Sequence, residues 1–159
     1  MAATASRKAA EAEVPVDVMR LWFRFLRLHQ RVSLAMAARL RAIGLSVPQF
    51  DLLSTLSEGE GITQSELAER LYVTKGNVSG LVDRLVDAGL VERRAIANDR
   101  RSYALHLTAH GRDLAEKGLA TQRDYVRRTL GTLARADLAL MERLVLDWRE
   151  AARTMGRSG

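Results

Sequence analysis

From Asp17 to about Ile43 the apolar residues Val18, Leu21, Trp22, Phe25, Leu28, Val32, Met36, Leu40 and Ile43 recur at helical spacing, which predicts one long amphipathic helix. Gly44 suits the position just past its end, and Pro48 suits the first turn of a second helix running through QFDLLSTLSE. In TQSELAERL, Thr63 and Glu66 stand in capping-box spacing and Leu67 with Leu71 make one apolar face, so a short third helix follows. Thr74 can cap a fourth, in which Val78, Leu81, Val82 and Leu85 follow one helical face until Gly89 stops it. The period then changes. LVERRAI and SYALHLT, the second with Tyr103, Leu105 and Leu107 alternating, read as two strands joined at a polar tip, ANDRR. Thr108 can cap a fifth helix from about Ala109 to Leu133. A sixth follows Ala136, with Leu140, Met141, Leu144, Val145, Trp148 and Met155 on its apolar stripe. The stretch through about Glu13 is small, polar and charged, and residues 1–16 read as a frayed arm.

The expected fold class is therefore mainly α with a small β-wing. A winged helix-turn-helix over residues 45–108 is flanked by N- and C-terminal helices at 17–44 and 109–156. These flanking helices carry more apolar surface than a module of this size needs for its own core, so their stripes ask for a partner, most simply a second copy. The alternative is that they fold back within one monomer.

The order of short helix, turn, helix and two-stranded wing allows the second helix of the pair to lie in the major groove of DNA. With Val78, Leu81, Val82 and Leu85 turned inward, Thr74, Lys75, Gly76, Asn77, Ser79 and Gly80 are left near the outer N-terminal end of that helix, and they are small or hydrogen-bonding. Gly76 and Gly80 each cost about 1 kcal/mol relative to alanine inside a helix, and close backbone approach to a phosphate strand would account for them. A poorly optimised exposed turn is the other reading. Lys75 and Arg84 are candidates for phosphate contact, and the Asn77 amide for pairing with adenine. Thr63 and Gln64, at the start of the third helix, join the candidate DNA-contact set. At the tip, Asn98, Asp99, Arg100 and Arg101 place two guanidinium groups where a narrow minor groove would attract them, with Asp99 suited to an ion pair that orients the tip; a solvated charged turn is the other reading.

Composition adds to this reading. The 159 residues fit one domain, and the formal charge of +6, rich in arginine, favours an anionic partner such as duplex DNA. With no cysteine there are no disulfides, thiolate metal sites or thiol redox sensing. No secretory apolar core and no run of about 20 apolar residues is present, so a cytoplasmic protein without membrane insertion is expected. His106 and His110 are four apart but straddle a strand end and a helix start, which argues against zinc and leaves the metal set empty. No nucleophile elbow or phosphate loop is found, so no catalytic residue is assigned and an enzyme is not expected.

LSVPQFDLLSTL, ITQSELAERLYVTKGNVSGLVDRLVDAGLVER and NDRRSYALHLTAHG, in this order and spacing, resemble the multiple-antibiotic-resistance regulator (MarR) family, and the likeness covers nearly everything after Asp17. The family's wing carries an aspartate and, two residues on, an arginine. These fall on Asp99 and Arg101, and the resemblance implies that Arg101 enters the minor groove. It also implies a homodimer with interlocked terminal helices, a pseudo-palindromic operator and a small, often aromatic and acidic effector; a ligand-responsive repressor is the hypothesis for function, with activation the open alternative. On the first helix Arg20, Arg24, Arg27 and Arg31 fall in one narrow sector at about 100° per residue. This stripe could hold an anionic ligand, an aromatic carboxylate or a phosphate-bearing acyl thioester. It also suits a solvated face, or pairing with acids such as Glu142, Asp147 and Glu150. Trp22, Phe25, Phe50, Leu53 and Tyr72 are candidate pocket walls that would serve equally as core, and His29 suits a buried core imidazole or an effector contact. A winged-helix module that binds a protein instead of DNA is the competing reading.

Overall fold

The computed structural model describes residues 16–97 and 99–155, with backbone alone for 99–101. Among the described residues, six α-helices and three strands follow in the order α1 (Val18–Ala42), α2 (Val47–Glu58), β1 (Ile62–Thr63), α3 (Gln64–Leu71), α4 (Lys75–Asp87), β2 (Val91–Ile96), β3 (Asp99–Leu107), α5 (Ala109–Arg128) and α6 (Arg135–Met155). Two compact units divide the chain, Met1–Ala38 and Arg39–Gly159. None of the described helices is long and apolar enough to cross a membrane.

The described part of the first unit is most of α1. The Asp17 carboxylate accepts the Arg20 N–H at 3.0 Å and so satisfies a free donor of the first turn. Along the helix the rings of Trp22 and Phe25 stack at 6.1 Å, and those of Phe25 and His29 at 6.3 Å. Among the described residues each side chain of this ladder is exposed, His29 included.

In the second unit, helix caps and leucines account for the architecture. Ser46 and Gln49 close a capping box on α2: Ser46 Oγ accepts the Gln49 N–H at 3.4 Å and Gln49 Oε1 accepts the Ser46 N–H at 2.9 Å. Thr74 caps α4 and Thr108 caps α5 through the same backbone reach. Leu40, Leu52, Leu53, Leu56, Leu67, Val82, Leu85 and Leu105 are fully buried, and each contributes about 2 kcal/mol by leaving water. Two glycines set how closely the layers meet. A methyl group on Gly111 would lie 1.9 Å from the Leu90 carbonyl oxygen, and one on Gly118 would lie 2.5 Å from the Phe50 ring.

The sheet has the order β1-β3-β2 and is antiparallel throughout. The strand β1, which its two residues left without a period to read, pairs Ile62 with Leu105 and Thr63 with Ala104. Thr63 is also the cap of α3, so that helix starts directly from the sheet. In the wing, Val91 pairs with Leu107 and Ala95 with Tyr103, and the register shifts between Ala95 and Ile96.

The end of α5 departs from expectation. A helix to Leu133 was expected, but α5 stops at Arg128 and a single 3-10 turn covers Leu130–Thr132. Thr129 donates its hydroxyl to the Tyr125 carbonyl at 2.7 Å, and its backbone leaves the helical region at φ −113°, ψ −83°. No described residue of α6 is buried, and Leu144, Val145 and Trp148 lie about half exposed.

Three helices end in the same way. At the ends of α1, α3 and α4, two successive N–H groups turn back onto carbonyls three and five residues earlier: Gly44 to Arg41 and Leu45 to Leu40, Tyr72 to Glu69 and Val73 to Ala68, Gly89 to Val86 and Leu90 to Leu85. The pivot is left-handed each time, with φ of +82° at Gly44, +54° at Tyr72 and +68° at Gly89.

Candidate nucleic-acid interface

At the N-terminal end of α4 the structure gathers the groups that the periodicity left on the outside. Thr74, Lys75, Gly76, Asn77 and Gly80 are exposed and Ser79 is half-buried, while Val78, Val82 and Leu85 anchor the opposite side in the core. Thr74 Oγ1 accepts the Asn77 N–H at 3.4 Å, which fixes the first turn and leaves the Asn77 side chain outside the cap. Among the described residues, nothing outside α4's own backbone lies within 4 Å of a methyl group built on Gly76 or on Gly80. Neither glycine makes room for another described part of the protein. Leu81, expected to turn inward with the others, is half-buried. With Asn77 and Arg84 it lines a cleft of about 390 Å³ against α2 that also holds Asp51, whose carboxyl is raised above its ordinary range by partial burial. Among the described residues no ion pair engages Lys75 or Arg84.

Thr63 and Gln64 stand at the start of α3. The Thr63 backbone N–H donates to Glu66 Oε2 at 2.7 Å and its hydroxyl at 2.9 Å, and together they hold the Glu66 carboxyl below the usual carboxylate range. The same two residues, with Ser65, form one side of a notch of about 340 Å³ whose other side is Arg93, Ser102 and Tyr103 of the wing. Sequence reasoning missed these wing residues. Val91, Arg93, Tyr103, Leu105 and Leu107 share one face of the hairpin, but that face leaves the body of the protein partway along. Leu105 and Leu107 are therefore buried while Tyr103 is half exposed. Arg93 pairs with Asp83 on α4, and Arg94 with Glu92 beside it. The Arg93 pair ties the wing to the helix it flanks, a link between residues 10 apart in sequence that no periodicity signals.

Asn98 and the side chains of Asp99, Arg100 and Arg101 lie outside the described residues; the backbone places Asp99 at the start of β3, opposite Ile96. The candidate effector residues fall in two places. Arg20, Arg24 and Arg27 flank a concavity of about 510 Å³ with Met19 and Phe23, and Arg20 also pairs with Asp17. Arg31, Trp22, Phe25 and His29 are exposed on the same helix. Phe50 and Leu53 are instead packed in the core of the second unit. Tyr72, read as pocket wall or core, is 95% exposed and is neither within one chain. His106 Nδ1 lies 3.3 Å from Glu60 Oε2, and Glu60 also pairs with Arg112. Among the described residues no group of three or more metal-ligating side chains is assembled.

A family model described as MarR family matches residues 43–102, from the end of α1 to the wing. An HTH-type transcriptional repressor of Mycobacterium tuberculosis is 37% identical over 97 residues, covering 61% of this chain and 70% of that protein. Among solved structures, AbsC of Streptomyces coelicolor, described as a MarR family transcriptional regulator, superposes with a TM-score of 0.78 at 27% identity, covering 87% of this chain and 97% of that one. A point mutant of MarR from E. coli, solved in complex with operator DNA, gives 0.72 at 25% identity, covering 82% and 94%. With a relative at this identity spanning most of its length, and with the same arrangement of helices and wing, the chain belongs to the MarR family.

Proposed function

We propose that this chain is a sequence-specific, DNA-binding transcriptional regulator, a ligand-responsive repressor that acts as a homodimer on a pseudo-palindromic operator in the cytoplasm. The observation that carries the reading is the N-terminal end of α4, capped, exposed and built from threonine, lysine, glycine and asparagine on a helix whose other side is core. Such an end enters the major groove and reads base edges, with Asn77 and Ser79 toward bases and Lys75 and Arg84 toward phosphates. Thr63 and Gln64 of α3 are assigned to the DNA backbone, Arg100 and Arg101 of the wing to the minor groove, and Asp99 to an ion pair that orients the tip. The operator complex of the E. coli relative supports DNA as the partner, and the M. tuberculosis repressor supports the sign of the regulation.

The uncovered apolar stripe of α6 supports the dimer, with residues 17–44 and 109–156 forming its contact and residues 45–108 reading DNA. Two copies place their recognition helices about one helical turn apart. The arginines of α1 beside Met19 and Phe23 support an anionic effector with an apolar body. It acts by preferring a dimer whose helix spacing no longer fits the operator.

Selection of bound fragments from the source genome, followed by titration at several salt concentrations, tests this. Affinity is expected to fall steeply with salt as counterions are released. Arg101→Ala is expected to weaken operator binding without altering thermal unfolding. Absence of salt-sensitive binding to any fragment would sink the DNA reading in favour of a protein-binding winged helix.

A further inference from the structure

The three matching helix ends differ in one respect. Gly44 and Gly89 occupy the left-handed pivot at no steric cost, whereas α3 puts a tyrosine there, the only non-glycine residue with positive φ among those described. Strain of this kind is kept where something else requires the side chain. Packing within the chain does not, because Tyr72 is 95% exposed. Its location supplies the reason. Tyr72 is two residues before Thr74, the cap of the helix end assigned above to the major groove, and two residues of chain span at most about 7 Å. The left-handed turn thus sets an exposed aromatic ring with a hydroxyl beside the helix end that the DNA reading assigns to the groove.

We infer that Tyr72 is a DNA-backbone contact, its phenolic hydroxyl donating a hydrogen bond to a phosphate oxygen and positioning α4 in the groove. The inference rests on the DNA reading above and adds a contact different in kind from Lys75 or Arg84. A neutral donor displaces no counterion, so its contribution to affinity does not depend on salt, whereas each cation contributes about 0.9 to the slope of log K against log salt. Because it addresses a phosphate, it acts on every sequence alike.

The test uses the full chain with Tyr72→Phe, Tyr72→Gly and Lys75→Ala, titrated against a mixed-sequence duplex about three helical turns long at several salt concentrations. Both Tyr72 variants are expected to bind about ten-fold more weakly with the wild-type salt slope, while Lys75→Ala flattens the slope. Unfolding temperatures of the Tyr72 variants are expected to stay at the wild-type value, since in Tyr72→Gly relief of the left-handed residue opposes the greater freedom of glycine in the unfolded chain. Wild-type affinity in Tyr72→Phe, a loss accompanied by a flatter slope, or unfolding of Tyr72→Gly several degrees early would each overturn the contact. A wild-type chain inert toward every duplex would overturn the DNA reading and this inference with it.

Discussion

Replacing Gly76 and Gly80 by alanine separates what the fold wants from what DNA wants. Both glycines lie in α4 outside the left-handed region, and among the described residues a methyl group on either meets nothing within 4 Å beyond α4's own backbone, so alanine fits both sites without rearrangement. Alanine in a helix interior is worth about 1 kcal/mol over glycine. Gly80, in the second turn, should realise most of this, and Gly76, one residue after the helix begins, should realise less. The double variant is therefore expected to gain between about 1 and 2 kcal/mol, which for a chain of this length raises the unfolding temperature by about 2–8 °C. On DNA the sign reverses. In the proposed DNA contact, methyl groups between helix backbone and phosphate strand would hold the two apart, and the expected loss is about ten-fold or more in affinity. Calorimetry on the free protein and a fluorescence titration with the selected operator measure both quantities on one preparation. A double variant that is more stable and binds DNA as tightly as wild type would refute the argument that close approach explains these glycines.

Other expectations follow from the same geometry. Gly111→Ala is the opposite case: its methyl would sit 1.9 Å from the Leu90 carbonyl oxygen, so a loss of about 3 kcal/mol is expected, seen as unfolding roughly 6–12 °C earlier. Burial raises the Asp51 carboxyl above its ordinary 3.8, which penalises the charged form in the folded state at neutral pH and relieves that penalty as pH falls through the raised value. Asp51→Asn should therefore unfold at a higher temperature than wild type at pH 7, with the gap closing as the scan is repeated toward pH 4; a gap independent of pH would refute this. If α6 joins two subunits as proposed, Leu144→Glu on its exposed stripe should convert a wild-type dimer to monomers in sedimentation equilibrium; a persistent dimer would move the proposed contact elsewhere.

Much of the fold was legible because its signals are local. Thr63 with Glu66, Thr74, Thr108 and Gly89 each mark a helix boundary through hydrogen bonds that span a few residues, and the structure places the boundaries there. What was not legible depends on distance or on partners. β1 exists because Ile62 meets Leu105, more than 40 residues on, and two residues carry no period. The Asp83–Arg93 pair joins a helix to a strand, and Tyr103 continues an apolar alternation after the hairpin has left the body. Tyr72 resisted reading for a different reason: an aromatic residue beside an apolar helix end suggests core, and only the backbone geometry turns it outward. On α1, one helix face looks the same in sequence whether another subunit, a ligand or water covers it.

The short strand β1 also has a mechanical consequence. Leu105 is held on both sides, by Ile62 and by Arg93, and residues 104 and 105 of β3 share a ladder with the entry to α3. Beyond Tyr103 the hairpin has only two strands, and the register shift between Ala95 and Ile96 interrupts even that pairing. The wing is thus a cantilever with a clamped root. A load applied to the two-stranded part bends the ladder at the register shift before it reaches the clamp, so α3 and α4 hold their aim. Amide exchange should divide along the same line, slow at Leu105 and faster at Ile96.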